Sequence, residues 1–261
     1  MANKRKETAR VVSQRLLAPG IYDMRIATDL AKDARCGQFV ALYPKDKSTL
    51  LPRPISICEA DRQAGELRLV YRVAGKGTAE FSHLQAGDSV DLLGVLGNGF
   101  PADRAQHSMT AALLGGGIGV PPLLELAKEL DCDRRIVVGY RDSQCFLRED
   151  FEAQAPGHVY IATEDGSVGT KGNVMDALRE NGIAPDILFA CGPLPMLRAV
   201  KQYAIEQGIL AYLSLEERMA CGVGACLGCV CQTAGVDPHS HVHNARVCTD
   251  GPVFEAREVE I

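Results

Sequence analysis

The chain has 261 residues, 46% of them apolar and 23% charged, with a formal net charge of −5; such a length buries substantial cores and divides into two or three domains. The acidic balance gives no electrostatic case for nucleic acid or an anionic membrane surface as partner, and the basic amino-terminal MANKRKETAR lacks the apolar core of a signal peptide. The ten cysteines are too few for a disulfide scaffold and half of them fall in one stretch, as metal ligands do, which suits a reducing cytoplasm.

From about Val11 to Phe100 short β-rich runs alternate with turn residues: YDMRIATDL, GQFVALYP, RPISICEAD, ELRLVYRVAGKGT and DSVDLLGVLGNGF. Strands at this spacing predict a small antiparallel barrel. Within it, Arg53, Pro54, Ile55 and Ser56 set a cation, a rigid turn and a hydroxyl where a strand begins, which suits a phosphate or the polar edge of an isoalloxazine ring. Alone, the same four residues also read as a surface Arg-Pro turn. Val70, Tyr71 and Arg72 run into Gly75-Lys76-Gly77-Thr78 and the helical-looking AEFSHL. A glycine turn at a helix start offers N–H groups and the Thr78 hydroxyl to a pyrophosphate, with Tyr71 placed to pack on a flavin. A hairpin turn and an ordinary N-cap are the plainer alternative, and GKGT lacks the spacing of a Walker loop.

From about Met109 strands and helices alternate: MTAALLGGG, VPPLLELAKEL, RRIVVGYR, REDFEAQ, HVYIATED, NVMDALREN, ILFACGP and LPMLRAVKQYAIEQG. This pattern predicts an α/β sheet with crossovers. The uncharged run from Met109 to Leu124 is too short for a bilayer and is broken by glycines and prolines. Gly115, Gly116, Gly117, Ile118 and Gly119 stand at a strand-to-helix junction, where a dinucleotide pyrophosphate meets a helix N-terminus. The loop departs from G-x-G-x-x-G, and Pro121-Pro122 opens the helix. Cys191, Gly192 and Pro193 end the last apolar strand at the edge where such sheets bind ligands, although a cysteine there also reads as an inert buried thiol. The ribose reader is ambiguous between Arg141 and Asp142.

The stretch from Met219 to Phe254 carries Cys221, Cys226 and Cys229 at Cys-x4-Cys-x2-Cys, with Cys248 beyond, which is the plant-type spacing for a 2Fe-2S cluster. Gly222, Gly224, Ala225 and Gly228 let a tight loop aim N–H groups at the sulfurs. Structural zinc favours two separate cysteine knuckles and fits less well. Cys231, two positions after Cys229, points to the opposite side of an extended segment and reads as a bystander. The run His239, His241 and His243 invites a metal or Rieske-type reading, but a polar solvated loop accounts for it while four cysteines are available. About 50 residues make a poor independent core, so the metal is expected to supply much of this segment's folding free energy.

A flavin-type barrel, an α/β dinucleotide domain and a terminal iron–sulfur segment, in that order, resemble the ferredoxin-NADP reductase superfamily. With RPIS, YRVAGKGT, LGVLGNGF, LLGGGIGVPPLL, FACGP, ERMACGVGAC and VCTDGPVF, nearly the whole chain resembles more closely the electron-transfer subunits of two-subunit, NAD-linked dihydroorotate dehydrogenases. The expected division is an FAD-binding β-barrel over 1–102, an NAD-binding α/β domain over 103–211 and a 2Fe-2S segment over 212–261. The resemblance implies FAD held by Arg53, Pro54, Ile55, Ser56, Val70, Tyr71, Arg72, Gly77 and Thr78. It implies NAD at Gly115 to Gly119 and at Cys191, Gly192 and Pro193, and a cluster on Cys221, Cys226, Cys229 and Cys248.

It further implies an FMN-containing catalytic subunit as partner, in a heterotetramer of two of each, with electrons from dihydroorotate passing through the cluster and FAD to NAD⁺ in pyrimidine (UMP) biosynthesis. No general acid or base needs assigning, and the chain has no room for the β/α barrel that would bind dihydroorotate. The loop between Cys229 and Cys248 is a few residues longer than the family's. The nearest rival is a reductase subunit of a ferredoxin-NADP transhydrogenase or of a sulfide- or hydrogen-linked complex, against which RPISI and GKGT speak. A rival of another class is a redox sensor or zinc-stapled interaction module, which would purify without flavin and iron.

Overall fold

The structure, a computed structural model, describes residues 4–237 and 241–261. Strands β1 (Arg5–Ala18), β2 (Ile21–Ala27), β3 (Phe39–Tyr43), β4 (Arg53–Asp61), β5 (Glu66–Arg72) and β6 (Ser89–Leu96) close an antiparallel barrel in the order β1-β2-β5-β4-β3-β6, with helix α1 (Lys76–Phe81) connecting β5 to β6. Alternation along each strand decides what faces inward. On β5, Leu67, Leu69 and Tyr71 fill the barrel with Met24, Ile26, Leu42 and Leu92, whereas Val70 faces the neighbouring domain. β1 is the strand the pattern hides. It carries Arg5, Lys6, Glu7, Arg10 and Arg15, and buries only Ala9 and Val11 in the barrel, so its hydrogen bonds to β2 and β6 do much of the work of holding it in place.

The second domain contains β7 (Thr110–Gly116), α2 (Pro122–Glu129), β8 (Asp133–Tyr140), α3 (Arg148–Gln154), β9 (Val159–Thr163), β10 (Thr170–Lys171), α4 (Val174–Glu180), β11 (Ile187–Cys191), α5 (Leu194–Gln207) and β12 (Leu210–Ser214). Its helices begin and end where local chemistry dictates. Asn173 accepts from the N–H of Met175 at 2.8 Å while Asp176 returns a bond to the Asn173 N–H, a capping box that starts α4. α5 stops on Gly208 at φ +68°. Helices α2 and α3 cover one face of the sheet, α4 and α5 the other.

The terminal segment adds a ribbon of β13 (Val230–Gln232) and β14 (Asn244–Arg246), then β15 (Val253–Glu255), which pairs antiparallel with β12. The full sheet order is β10-β9-β8-β7-β11-β12-β15. The chain runs outward from β7 to β10, and α4 then carries it back to β11 on the other side of β7. That reversal sets the loops after β7 and β11 side by side at the carboxyl ends of their strands, the place where such sheets bind ligands. The boundary expected at 211/212 falls inside β12, whose Tyr212, Leu213 and Ser214 pair with strands on both sides.

Two ion networks lock the barrel to the sheet domain. Glu125 of α2, buried, accepts from the Ala60 N–H at 3.1 Å and from Arg62 at 2.8 Å, and Arg62 also donates to Glu129 and the Ala34 carbonyl. Arg68, only 2% exposed, is shared by Asp23, Glu59 and Asp150 of α3, while Lys128 of α2 reaches Glu59 at 2.6 Å. With every charge paired, these buried ions fix the geometry between the domains. Among the described residues no helix is long and apolar enough to cross a membrane.

Candidate electron-transfer site

The residues expected to hold FAD lie where β4 and β5 meet α1. Arg53 donates from Nη1 to the Leu51 carbonyl at 2.6 Å, and its guanidinium lies on the backbone of Gly77, where a Cβ would stand 2.8 Å from Nε. Only glycine permits that contact. Pro54 and Ser56 are half-buried, whereas Ile55 fills the barrel. The Thr78 hydroxyl accepts from the N–H groups of Ala74 and Gly75 at 2.8 and 3.2 Å and donates to the Gly75 carbonyl at 3.0 Å. Its proton and both lone pairs are therefore used in shaping the turn, so the hydroxyl expected to meet a pyrophosphate is already engaged within the turn. The Tyr71 ring is a second correction: it is 1% exposed, stacks with Tyr22 at 5.9 Å and bonds Gln14 at 2.9 Å inside the barrel, leaving only its main chain to face a flavin.

Arg72, exposed, reaches the other domain, its Nη2 3.3 Å from where a Cβ on Gly117 would be. Gly117 itself, at φ +54°, begins the turn that ends β7. At that edge the loops after β7 and β11 touch without space for side chains: a Cβ on Gly119 would lie 2.4 Å from the Cys191 carbonyl oxygen, and one on Gly116 2.9 Å from Pro193 Cδ. Gly115 is buried in β7, Ile118 packs on the core and Gly192 is half-buried at the turn. The expected dinucleotide residues thus converge at one edge. Burial pushes the Cys191 thiol up to about 12, and a hydrogen bond with Ser214 on β12 opposes the rise. Arg141 and Asp142 lie at the end of β8, with Asp142 capping the Gln144 N–H at 2.9 Å.

The cysteines gather in pairs. Cys221 and Cys226 lie within hydrogen-bond reach of each other, as do Cys229 and Cys248. Val223 and Ala225 donate N–H bonds to the Cys221 sulfur at 3.4 and 3.3 Å, and Gly228 donates to the Cys226 sulfur at 3.4 Å. Burial raises the Cys221 thiol, but the N–H donors and Cys226 outweigh it and bring the group down to about 6. Burial and contact with Cys229 push Cys248 up to about 12, against an N–H bond from Gly224. Cys229 and Cys248 are buried and Cys226 is exposed, so the loop has an inner and an outer edge.

Among the described residues no three His, Cys, Asp or Glu side chains converge as a single metal ion requires. Four thiols in two pairs, with N–H groups aimed at sulfur, fit a two-iron core better than one zinc ion. Cys231, paired with Ala245, is half-buried against the core and lines a cleft of about 700 Å³ with Pro193, Arg198 and Glu217. His239 lies outside the described residues. His241 and His243 are exposed, and His243 Nδ1 is 3.3 Å from the Thr233 carbonyl.

Residues 216–260 match the model of the iron–sulfur cluster binding domain of dihydroorotate dehydrogenase B. Over 260 residues, 97% of this chain and 98% of the relative, the sequence is 45% identical to the dihydroorotate dehydrogenase B (NAD(+)) electron transfer subunit of Geobacillus thermodenitrificans strain NG80-2. The chain belongs to the family of dihydroorotate dehydrogenase B electron transfer subunits. A counterpart from Listeria monocytogenes serotype 4a is 44% identical over 255 residues, 97% of this chain and 98% of its own.

Among solved structures, a chain of an NADH-dependent reduced ferredoxin-NADP oxidoreductase is 29% identical, with TM-score 0.83 over 97% of this chain and 89% of that one. The ferredoxin NADP⁺ reductase of Neisseria gonorrhoeae shares the fold at TM-score 0.65 and 18% identity, over 78% of this chain and 92% of its own. Membership in the dihydroorotate dehydrogenase B family bears out the resemblance carried by the seven motifs, and the barrel followed by a crossover sheet bears out the fold. What the sequence reading passed over is the scaffolding: Asn98, Arg246 and Asp250 around the Cys248 turn, and the buried ions between the domains. Asn98, flanked by glycines in LGNGF, was the one of these with a visible signal.

Proposed function

We propose that this electron transfer subunit takes electrons from the FMN of a dihydroorotate-oxidising partner and delivers them to NAD⁺, in a cytoplasmic complex of two copies of each chain. When bound, a 2Fe-2S cluster exchanges single electrons, a nicotinamide exchanges a hydride, and FAD does both, so FAD belongs between the other two. The chain's own residues do the rest. Arg53, Pro54, Ile55 and Ser56, the main chain of Val70, Tyr71 and Arg72, and Gly77 with Thr78 bind and orient FAD. Gly115, Gly116, Gly117, Ile118 and Gly119 with Cys191, Gly192 and Pro193 receive NAD where the sheet reverses. Cys221, Cys226, Cys229 and Cys248 hold the cluster, and N–H donors to their sulfurs set its potential.

The observation that carries this reading is the pairing of the four thiols beside the end of β6: Leu96, the last residue of that barrel strand, lies 3.1 Å from where a Cβ on Gly222 would be. The outer edge of the loop also exposes Val223, Leu227 and Val230, at 42%, 59% and 38%, which supports the cluster segment as the partner-facing surface. The test is to purify the tagged chain with what stays attached and follow dihydroorotate-dependent reduction of NAD⁺. Activity in the complex that vanishes when the companion is stripped away supports the proposal. NADH oxidation by an artificial acceptor without any response to dihydroorotate removes the pyrimidine assignment.

A further inference from the structure

β6 ends at Leu96, and the next residues turn through Gly97 at φ +78° before Asn98 meets the terminal segment more than 150 positions away. The Asn98 N–H donates to the Gly251 carbonyl at 2.8 Å, and its side-chain amide donates to the carbonyls of Asp250 and Val253, both at 2.9 Å. Its side-chain oxygen accepts from the Val253 N–H at 3.2 Å. One side chain thus satisfies three main-chain groups of the stretch that follows Cys248. No other residue of this size both donates twice and accepts. The approach is close: a Cβ on Gly97 would stand 2.5 Å from Pro252 Cδ, and Gln38 holds the Gly97 carbonyl from behind at 2.8 Å.

The same stretch is closed on itself. Asp250 accepts from the Arg246 N–H at 2.8 Å and from two guanidinium nitrogens at 3.0 Å each, so the turn from Arg246 to Asp250 that contains Cys248 is a short loop with a bidentate clasp. Thr249, next in that turn, fits against Gly224 of the first cysteine loop, where a Cβ would lie 2.9 Å from its Cγ2, and the Gly224 N–H serves the Cys248 sulfur. A rigid turn fixes only the shape of the loop. Its place relative to the barrel depends on Asn98, because Asn98 joins the barrel's last strand to the residues immediately after the turn.

We infer that Asn98 is a positioning residue for the iron–sulfur site: it hangs the Cys248 turn from the end of β6 and so fixes the fourth thiolate relative to the flavin side of the barrel. The inference rests on the proposed reading of Cys248 as a ligand. Residues behind metal ligands orient them, and losing one commonly costs tenfold or more in metal affinity while shifting the potential. An ordinary loop tether, in contrast, changes stability without changing the electronic signature of the metal.

The test uses the complex as purified from its own cells, with wild type, Asn98→Ala and Asn98→Asp, the second keeping size and the acceptor but losing both donated bonds. Iron and FAD per chain, the rate of cluster bleaching by a chelator, and the electron paramagnetic resonance spectrum and midpoint potential of the reduced cluster are measured. The expected result is wild-type FAD content, bleaching faster by roughly tenfold, and a shifted spectrum and potential in both variants. If the Ala variant does not fold, the Asp variant decides. Unchanged bleaching, spectrum and potential in a folded variant overturn the inference, as does loss of FAD in parallel with iron. A wild-type complex holding no iron or no FAD removes the proposed function itself, a result distinct from either.

Discussion

The barrel and sheet domains on one side, and the segment from Leu215 to Ile261 on the other, are ordered by different physics. The first two carry their own cores: the barrel is filled from its strands, and both sheet faces are covered by helices with apolar stripes. Among its described residues the segment has three strands of three residues each, and it exposes Val223, Leu227, Val230, Val236 and Val242. What order it has is borrowed. Phe254, Ala256 and Val259 pack into the core beneath α4 and α5, β15 joins the sheet edge, and Asn98 holds the Cys248 turn. Where apolar periodicity ends, ligand chemistry and a few specific hydrogen bonds take over.

The largest expected effect tests that division directly. Cys248→Ser, or removal of iron by a chelator under reducing conditions, is expected to abolish dihydroorotate-dependent NAD⁺ reduction and open the segment while the rest stays folded, because metal free energy is folding free energy for a unit with so little core. Limited proteolysis followed by mass spectrometry reads this as cuts confined to residues 216–252 with FAD retained. Cuts spread through the sheet domain would show that the three parts fold as one.

Next in size is the lock between barrel and sheet. Arg68→Met leaves Asp23, only 4% exposed, with Arg15 as its remaining ion partner and deprives Glu59 and Asp150 of a shared cation. Breaking a buried ion network from one side costs about 3–5 kcal/mol. Urea unfolding followed by far-ultraviolet circular dichroism is expected to show that loss, with cluster bleaching by chelator at its wild-type rate. Faster bleaching would mean that the lock also serves the segment.

How much of this was legible in the sequence follows the same line. Helix α3 spans REDFEAQ as its pattern predicts, and α5 differs from its predicted span only at the terminal glycine, because polar and apolar residues alternate there with the helical period. β1 escaped because its charges face solvent while its backbone is satisfied on both sides. β12 escaped because LAYLS follows a helix without a turn cluster to announce it, and so the expected boundary fell inside a strand. The cysteine spacing was legible because thiolate geometry is local. The Thr78 and Tyr71 side chains were misread because a loop motif says which residues gather and not which way each hydroxyl or ring turns. Asn98 lies so far from its partners along the chain that no local pattern contains the contact.

A smaller effect separates nucleotide binding from fold. Gly119→Ala places a Cβ 2.4 Å from the Cys191 carbonyl and must push apart the loops after β7 and β11, without touching the barrel or Cys221, Cys226, Cys229 and Cys248. A displacement of order 1 Å at a positioning loop costs about a hundredfold in kcat/KM. The expected outcome is that loss for NADH with an artificial acceptor, at unchanged FAD and iron. Wild-type kinetics would place NAD elsewhere than the reversal point of the sheet.

The smallest effect concerns acid. Burial alone would raise the Glu59 carboxyl, but Lys128, Arg25 and Arg68 outweigh it and hold the group below its ordinary value of 4.5. A carboxyl with a depressed folded-state value stabilises the fold above its unfolded value and loses that contribution as pH falls through the folded value. Glu59→Gln is therefore expected to be less stable than wild type in urea at pH 7, with the difference shrinking once the pH drops beneath 4.5. Protease cleavage within residues 216–252 is expected to be the same in both proteins at neutral pH, since Glu59 sits between the barrel and α2, and the cysteine segment is held by other contacts. A difference between the two proteins that persists undiminished at low pH would mean that Glu59 contributes by packing and hydrogen-bond shape, not by charge.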